Sequence, residues 1–128
     1  MDSQELQTRY DAGERGFQGA DLSGVDLYEA QLEGIDLSDA TVTNANLSMA
    51  NLSGSNLSRA NLADTNLSGT ILKGANLSQA NLARVDLSWA NLSQVNLTEA
   101  DLTEANMKMA ILVRTRFRQT IMPDGTKR

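Results

Sequence analysis

The chain repeats a five-residue pattern of apolar and polar positions over most of its length. A large apolar residue recurs at every fifth position from Leu22 to Leu112, and nearly all are leucine, with Val42 and Met107 as the exceptions. A small or β-branched residue, most often Ala, stands two positions earlier. Asn or Asp usually comes one position before the leucine, and Ser or Thr one position after it, as in Ala45–Met49.

A five-residue period fits neither an α-helix, which repeats every 3.6 residues, nor a strand, which repeats every two. On a helix the leucines would advance by about 140° per unit and spread around the surface. On one strand they would alternate between the two faces. They share one interior only if the chain turns a corner in every unit. The pattern therefore predicts a solenoid, whose coils stack to pair backbone groups and bury the leucines.

These units resemble those of the pentapeptide repeat family, from about Phe17 to Met122. The resemblance implies an all-β fold, a right-handed quadrilateral β-helix with four units, about 20 residues, in each coil. The chain would then form about five coils, and a strand spacing of about 4.8 Å makes the rod roughly 25 Å long. We expect an N-terminal capping helix at 1–13, the β-helix at 14–122, and a turn and tail at 123–128.

A short helix is predicted before the repeats. Asp2 and Glu5 have the spacing of a capping box, and Gly13 is typical of the residue after a helix. We therefore expect a helix over residues 3–12, covering the N-terminal opening of the solenoid.

The two phenylalanines mark the ends of the predicted rod. Residues 20 apart stack under the family's geometry, so Phe17 and Phe117 fall in one interior column at opposite ends, and we interpret them as plugs of the core. Beyond them, Met122–Gly125 predicts a turn and no second helix. The C-terminal end is therefore the better candidate for self-association, because open solenoid ends expose unpaired backbone.

Composition argues against catalysis. The chain has no His and no Cys, which removes the commonest general base, disulfides and thiolate metal sites. The Asp, Ser and Thr residues sit at fixed offsets in the repeat, where short polar side chains bond to turning backbone. Amides dilute the stacked acids, so an Asn ladder is expected rather than a calcium site. We predict no enzymatic activity, no cofactor and no metal site.

Neither a secretory leader nor a membrane span is visible in the sequence. The start, Met1–Glu5, is acidic, and no apolar run approaches the about 20 residues that a spanning helix needs. The expected location is cytoplasmic, without membrane association.

Large outward apolar residues fall where units depart from the repeat. When outward positions are sorted by face, these residues lie along one edge of the predicted rod: Tyr28, Met49, Ile71, Trp89, Met109 and Ile111. Clusters rich in aromatic residues and Met often anchor partners, so this edge is a candidate surface for a protein partner or a second copy. The alternative is that each side chain packs locally over a turn.

Charge is distributed unevenly along the axis, although the formal net charge is only −5. Residues 1–40 contain ten acidic and two basic side chains, whereas residues 105–128 contain one acidic and six basic ones, including Arg114, Arg116 and Arg118. This gradient would steer an anionic partner to the basic end or favour head-to-tail stacking. It is equally consistent with charges that have no function.

These features together predict a non-enzymatic structural or protein-interaction module. The family resemblance supplies an alternative, a DNA mimic that binds a type II topoisomerase. A rod of roughly 25 Å matches only about seven base-pair steps, and one end is basic, so this alternative requires two joined chains. Direct nucleic-acid binding is not expected, because the basic cluster is small and its nearby aromatic residue, Phe117, is assigned to the core.

Overall fold

The computed structural model describes all 128 residues and contains one helix, α1, at Ser3–Asp11. The rest of the chain winds into stacked coils joined by parallel β-bridges, from Gly16↔Asp36 to Asp101↔Ile121. Every parallel bridge joins residues twenty apart, so one circuit takes four five-residue units. Each side of a coil contributes a single bridged residue rather than a longer strand.

The Asn or Asp of each unit connects coils through its backbone and shapes the next corner through its side chain. Asn46 N donates to Val25 O of the preceding coil at 2.9 Å. Its side-chain Oδ1 accepts hydrogen bonds from Ser48 N at 3.0 Å and from Ser48 Oγ at 2.7 Å. The stacked Asn residues are thus connected between coils mainly through their backbone groups, not through their side chains. The exception is the hydrogen bond that Asn46 Nδ2 donates to Asp26 Oδ1.

Each corner is a tight turn whose third residue adopts the left-handed conformation. The residue two positions after the leucine has a positive φ in every unit, including Trp89 and Met109 at 63° and Gly54 at 66°. The turn closes by a hydrogen bond three residues back, as from Ala50 N to Leu47 O at 3.1 Å. A side chain at this position carries a conformational cost that glycine avoids.

The interior is filled by the leucines and by the small residues two positions before them. These positions are almost completely buried in the middle coils and form one core. Helix α1 joins that core through Leu6, which is fully buried, and its Tyr10 Oη donates to Glu33 O at 2.7 Å. Asp2 caps the helix by accepting from Glu5 N at 2.8 Å. The predicted short N-terminal helix is therefore present, and it packs on the first coil.

The two ends of the solenoid are closed to different extents. Phe17 is buried, with the Arg9 guanidinium 4.9 Å from its ring centre, whereas Phe117 is half-buried beneath Arg128 at 4.3 Å. Leu112 was assigned to the interior by the repeat but is 39% exposed, because no coil follows to cover it.

The C-terminal tail covers only one side of the last coil. The predicted turn is present, with Gly125 N donating to Met122 O at 2.8 Å. The chain then returns antiparallel, bridging Ile121 to Lys127, and Arg128 N donates to Thr120 O at 2.9 Å. The other three sides pair with the preceding coil, but no further backbone pairs with their outer edges.

Replacing Ser55 with alanine is expected to raise the free energy of unfolding by about 1 kcal/mol, because its buried hydroxyl has no hydrogen-bond partner. The matched control is Thr70→Val, since the Thr70 hydroxyl donates to Leu47 O at 2.7 Å and its loss should lower the value by about 1 kcal/mol. Urea unfolding followed by circular dichroism measures both changes. A lower midpoint for Ser55→Ala would contradict the assignment of an unbonded hydroxyl.

Candidate interaction surface

All residues of the predicted apolar edge have exposed side chains. Their exposed fractions run from 39% at Ile71 to 67% at Trp89. Two further large apolar residues, Leu112 and Val113, are exposed as well. Sequence reasoning missed both, because Leu112 occupies an inward position of the repeat and Val113 is not among the residues of the predicted edge.

One corner of the solenoid carries a continuous row of these side chains. Met49, Gly69, Trp89 and Met109 occupy the same position in successive coils, and Trp89 N donates to Lys108 O of the next coil at 3.0 Å. The Met49 side chain lies over Gly69, where a Cβ atom would collide with its sulfur. Met49 therefore extends along the row into the space before Trp89.

The last coil gathers the largest group of exposed apolar side chains. Met109, Ile111, Leu112 and Val113 follow one another closely in sequence and are all exposed; we call them the C-terminal apolar cluster. Ile71 lies two coils away on the same side, with Asn91 bridged between it and Ile111. Tyr28 belongs to the opposite end. Exposed apolar side chains are therefore densest in the last coil, which holds two residues of the predicted edge, Met109 and Ile111, and two residues outside it.

The same coil presents unpaired backbone donors. In the coil before it, Leu92 N donates to Ile111 O at 2.8 Å and Gln94 N donates to Val113 O at 2.9 Å. The equivalent N–H groups of the last coil find no backbone acceptor: these belong to Met107, Met109, Leu112, Arg114, Phe117 and Gln119. An edge of this kind is a template for pairing with another chain.

Two arginines in the middle of the rod form ion pairs, whereas the cations near its C-terminal end form none. Arg59 bonds Asp39 at 2.9 Å and Arg84 bonds Asp64 at 2.8 Å, each between adjacent coils. These hydrogen bonds hold the pKa of both carboxyl groups below the ordinary value. Eight cations form no ion pair: Arg15, Lys73, Lys108, Arg114, Arg116, Arg118, Lys127 and Arg128. The predicted basic end therefore carries uncompensated positive charge.

One shallow cavity of about 220 Å³ opens on the surface, lined by Lys73, Asn91, Ser93, Gln94, Val113 and Arg114. No group of three or more acidic, His or Cys side chains is placed to hold a metal ion. No helix has the length and apolar character needed to cross a membrane. What the surface offers chemically is apolar contact, unpaired N–H donors and positive charge.

Comparison with known proteins accounts for the regular part of this structure. The family model described as Pentapeptide repeats matches eight copies, over residues 17–44, 43–79, 60–98 and 80–119. The chain belongs to the pentapeptide repeat family. Membership implies the right-handed quadrilateral β-helix, and pentapeptide repeat proteins are generally structural rather than enzymatic. No curated protein matches the sequence.

Solved structures of other pentapeptide repeat proteins are similar along most of their length. Rfr23 from the cyanobacterium Cyanothece 51142 is 28% identical, with 92% of this chain and 95% of that one covered and a TM-score of 0.71. The protein alr5209 from Nostoc Pcc 7120 is 34% identical, with 86% and 87% covered and the same TM-score of 0.71. A protein from the Arabidopsis thaliana thylakoid lumen, AT2G44920, is 25% identical, with 92% and 72% covered and a TM-score of 0.56.

Proposed function

We propose that this protein is a non-enzymatic protein-interaction module, a rod of about five coils that displays side chains to a partner. The observation that carries the proposal is the placement of Trp89 and Met109. Both occupy left-handed corner positions, where large side chains are disfavoured, and both are mostly exposed. They add little to the core, so contact with another molecule is the physical role that remains for them.

The surroundings of these residues support the same proposal. Met109 belongs to the C-terminal apolar cluster, and its own N–H is one of the unpaired donors of the last coil. Aromatic and Met anchors beside an open backbone edge are features that protein interfaces use. Self-association through this end and a cytoplasmic location remain predictions consistent with the proposal. The absence of His and Cys supports a role without catalysis.

The double variant Trp89→Ala, Ile111→Ser is expected to lose the partners that the wild-type chain captures from its native host, because it removes one anchor at the corner and one on the side that follows it. Affinity capture followed by sizing of the complex measures the loss. The control Gln79→Ala, Glu99→Ala removes two exposed corner side chains that bond each other at 2.9 Å on another corner. Capture and oligomeric state unchanged in the Trp89, Ile111 variant would refute this surface.

The DNA-mimic alternative depends on two chains joining, and the open C-terminal edge is the feature that would permit it. That arrangement would bring the unpaired cations of both copies together, which opposes it. A supercoiling assay with a type II topoisomerase separates the two functions, since only a mimic competes with DNA. Unimpaired supercoiling at high protein excess removes the alternative.

A further inference from the structure

The surface cavity beside the C-terminal apolar cluster is built from hydrogen-bond donors and positive charge. Lys73 and Arg114 line it together with the side chains of Asn91, Ser93 and Gln94, and no carboxylate is among its lining residues. Val113 supplies the one apolar wall. We call this cavity the C-terminal groove.

The groove exists because two stacked rows of outward positions depart from the repeat. Lys73, Ser93 and Val113 stack in one row, since Lys73 O and Val113 O accept bonds from Gly54 N and Gln94 N of the coils before them. The neighbouring corner row is bare up to Gly74, where an added Cβ would meet nothing within 4 Å. The side chains of Gln94, Val113 and Arg114, at the C-terminal end of the two rows, therefore border open space.

The donors in the groove have no partners within the chain. Ser88 Oγ donates to Asp86 Oδ1 at 2.6 Å, but the hydroxyl of Ser93, at the equivalent position, makes no such bond. Arg59 and Arg84 each find an acid in the adjacent coil of their own row. The corner row of Arg114 contains only glycines and Gln94, so its charge stays uncompensated.

We propose that the C-terminal groove binds carboxylate groups of an acidic segment of a protein partner, an inference that rests on the proposed function. Lys73 and Arg114 supply the charge, and the side-chain amides and the Ser93 hydroxyl supply further donors. Val113 and Ile111 beside the groove receive an apolar residue of the same segment.

Two features favour an acidic polypeptide over a free phosphate and over a second copy joined through its own C-terminal end. The exposed apolar wall at Val113 gives a free phosphate nothing to contact, whereas a peptide side chain covers it. A second copy approaching with its own C-terminal end would bring the same unpaired cations together, which like-charge repulsion opposes. The partner's contribution is therefore negative charge next to an apolar residue.

The test uses the purified full chain with isotope labels and a short blocked peptide of alternating Glu and Leu as the probe. Saturable chemical-shift changes are expected at the side-chain amides of Asn91 and Gln94 and at the Val113 methyls. In Lys73→Gln, Arg114→Gln the affinity should fall about tenfold, because each exposed charge pair contributes roughly threefold. The matched control, Arg116→Gln, Arg118→Gln, removes the same charge from the next side and should change affinity less than about threefold.

Each other outcome overturns the proposal. Equal weakening in the two double variants would show general attraction to the basic end rather than a site. Equal binding of a Gln and Leu peptide would remove the need for carboxylates, and shifts with inorganic phosphate but not with the Glu peptide would assign the groove to a free anion. A concentration-dependent dimer that is lost only in Lys73→Gln, Arg114→Gln would assign it to a second copy. Capture of partners through Trp89 and Ile111 is a separate measurement, so the proposed function survives a failure here.

Discussion

Replacing Leu67 with alanine is expected to lower the free energy of unfolding by about 3 to 4 kcal/mol. Leu67 is fully buried in the middle of the rod, where Leu47 N and Leu67 N both donate to the following coil at 2.8 Å. This backbone ladder holds neighbouring coils at a fixed spacing, so the structure cannot collapse into the space left by the side chain. The cost therefore includes both the lost burial and the cavity.

Leu112→Ala is the matched control, since Leu112 has the same repeat position but is 39% exposed in the last coil. No coil encloses the space it would leave, so we expect a loss of about 1 kcal/mol. Urea unfolding at 25 °C, followed by circular dichroism, gives the midpoint and slope of both variants. Similar losses at the two positions would contradict the view that enclosure between coils, rather than residue type, sets the cost.

The sequence was sufficient to predict the regular part of this fold. Period five, with Leu and Ala at fixed offsets, allows only a chain that turns once in each unit, and the bridges between residues twenty apart agree with this. The helix was predictable for a separate, local reason: Asp2 has the side chain that caps a helix, and its bond to Glu5 N is present. Short-range chemistry and the repeat therefore decide most of the structure.

The ends were harder to predict, because a repeat describes neighbours and an end lacks one. Leu112 has the residue type and position of a core leucine, yet it is exposed for want of a following coil. The return of the tail, which pairs Ile121 with Lys127, depends on contacts that no repeat position encodes. The unpaired donors of the last coil follow from the same lack of a neighbour.

The candidate sites were predictable only in part. Trp89 and Ile111 were found because they break the repeat, and their exposure follows from outward positions. Sequence reasoning missed the C-terminal groove. A signal was present, because the twenty-residue spacing puts Lys73 and Arg114 in neighbouring rows, beside a corner occupied by glycines. The sequence does not show directly that neither cation has an acidic side chain close enough to pair with it.

The left-handed conformation of the corners could be predicted from the sequence only in part. Glycine is a familiar turn residue, but the structure has a positive φ at this position in every unit, whether or not glycine occupies it. Because Asn and Asp accept this conformation more readily than other residues, their presence at such corners, as at Asn44 and Asp64, follows the same rule.

Replacing Gly54 with valine is expected to lower the free energy of unfolding by about 1 to 2 kcal/mol, for a reason that involves no contact. Gly54 has φ 66°, and an added Cβ would meet nothing within 4 Å, so the first side-chain atom has room. The cost comes from forcing a β-branched residue into the left-handed region. Gly54→Asn is the matched control and should cost less than about 0.5 kcal/mol, measured by the same urea midpoints. Equal losses in the two variants would show that the corner is strained by side-chain bulk and not by backbone conformation.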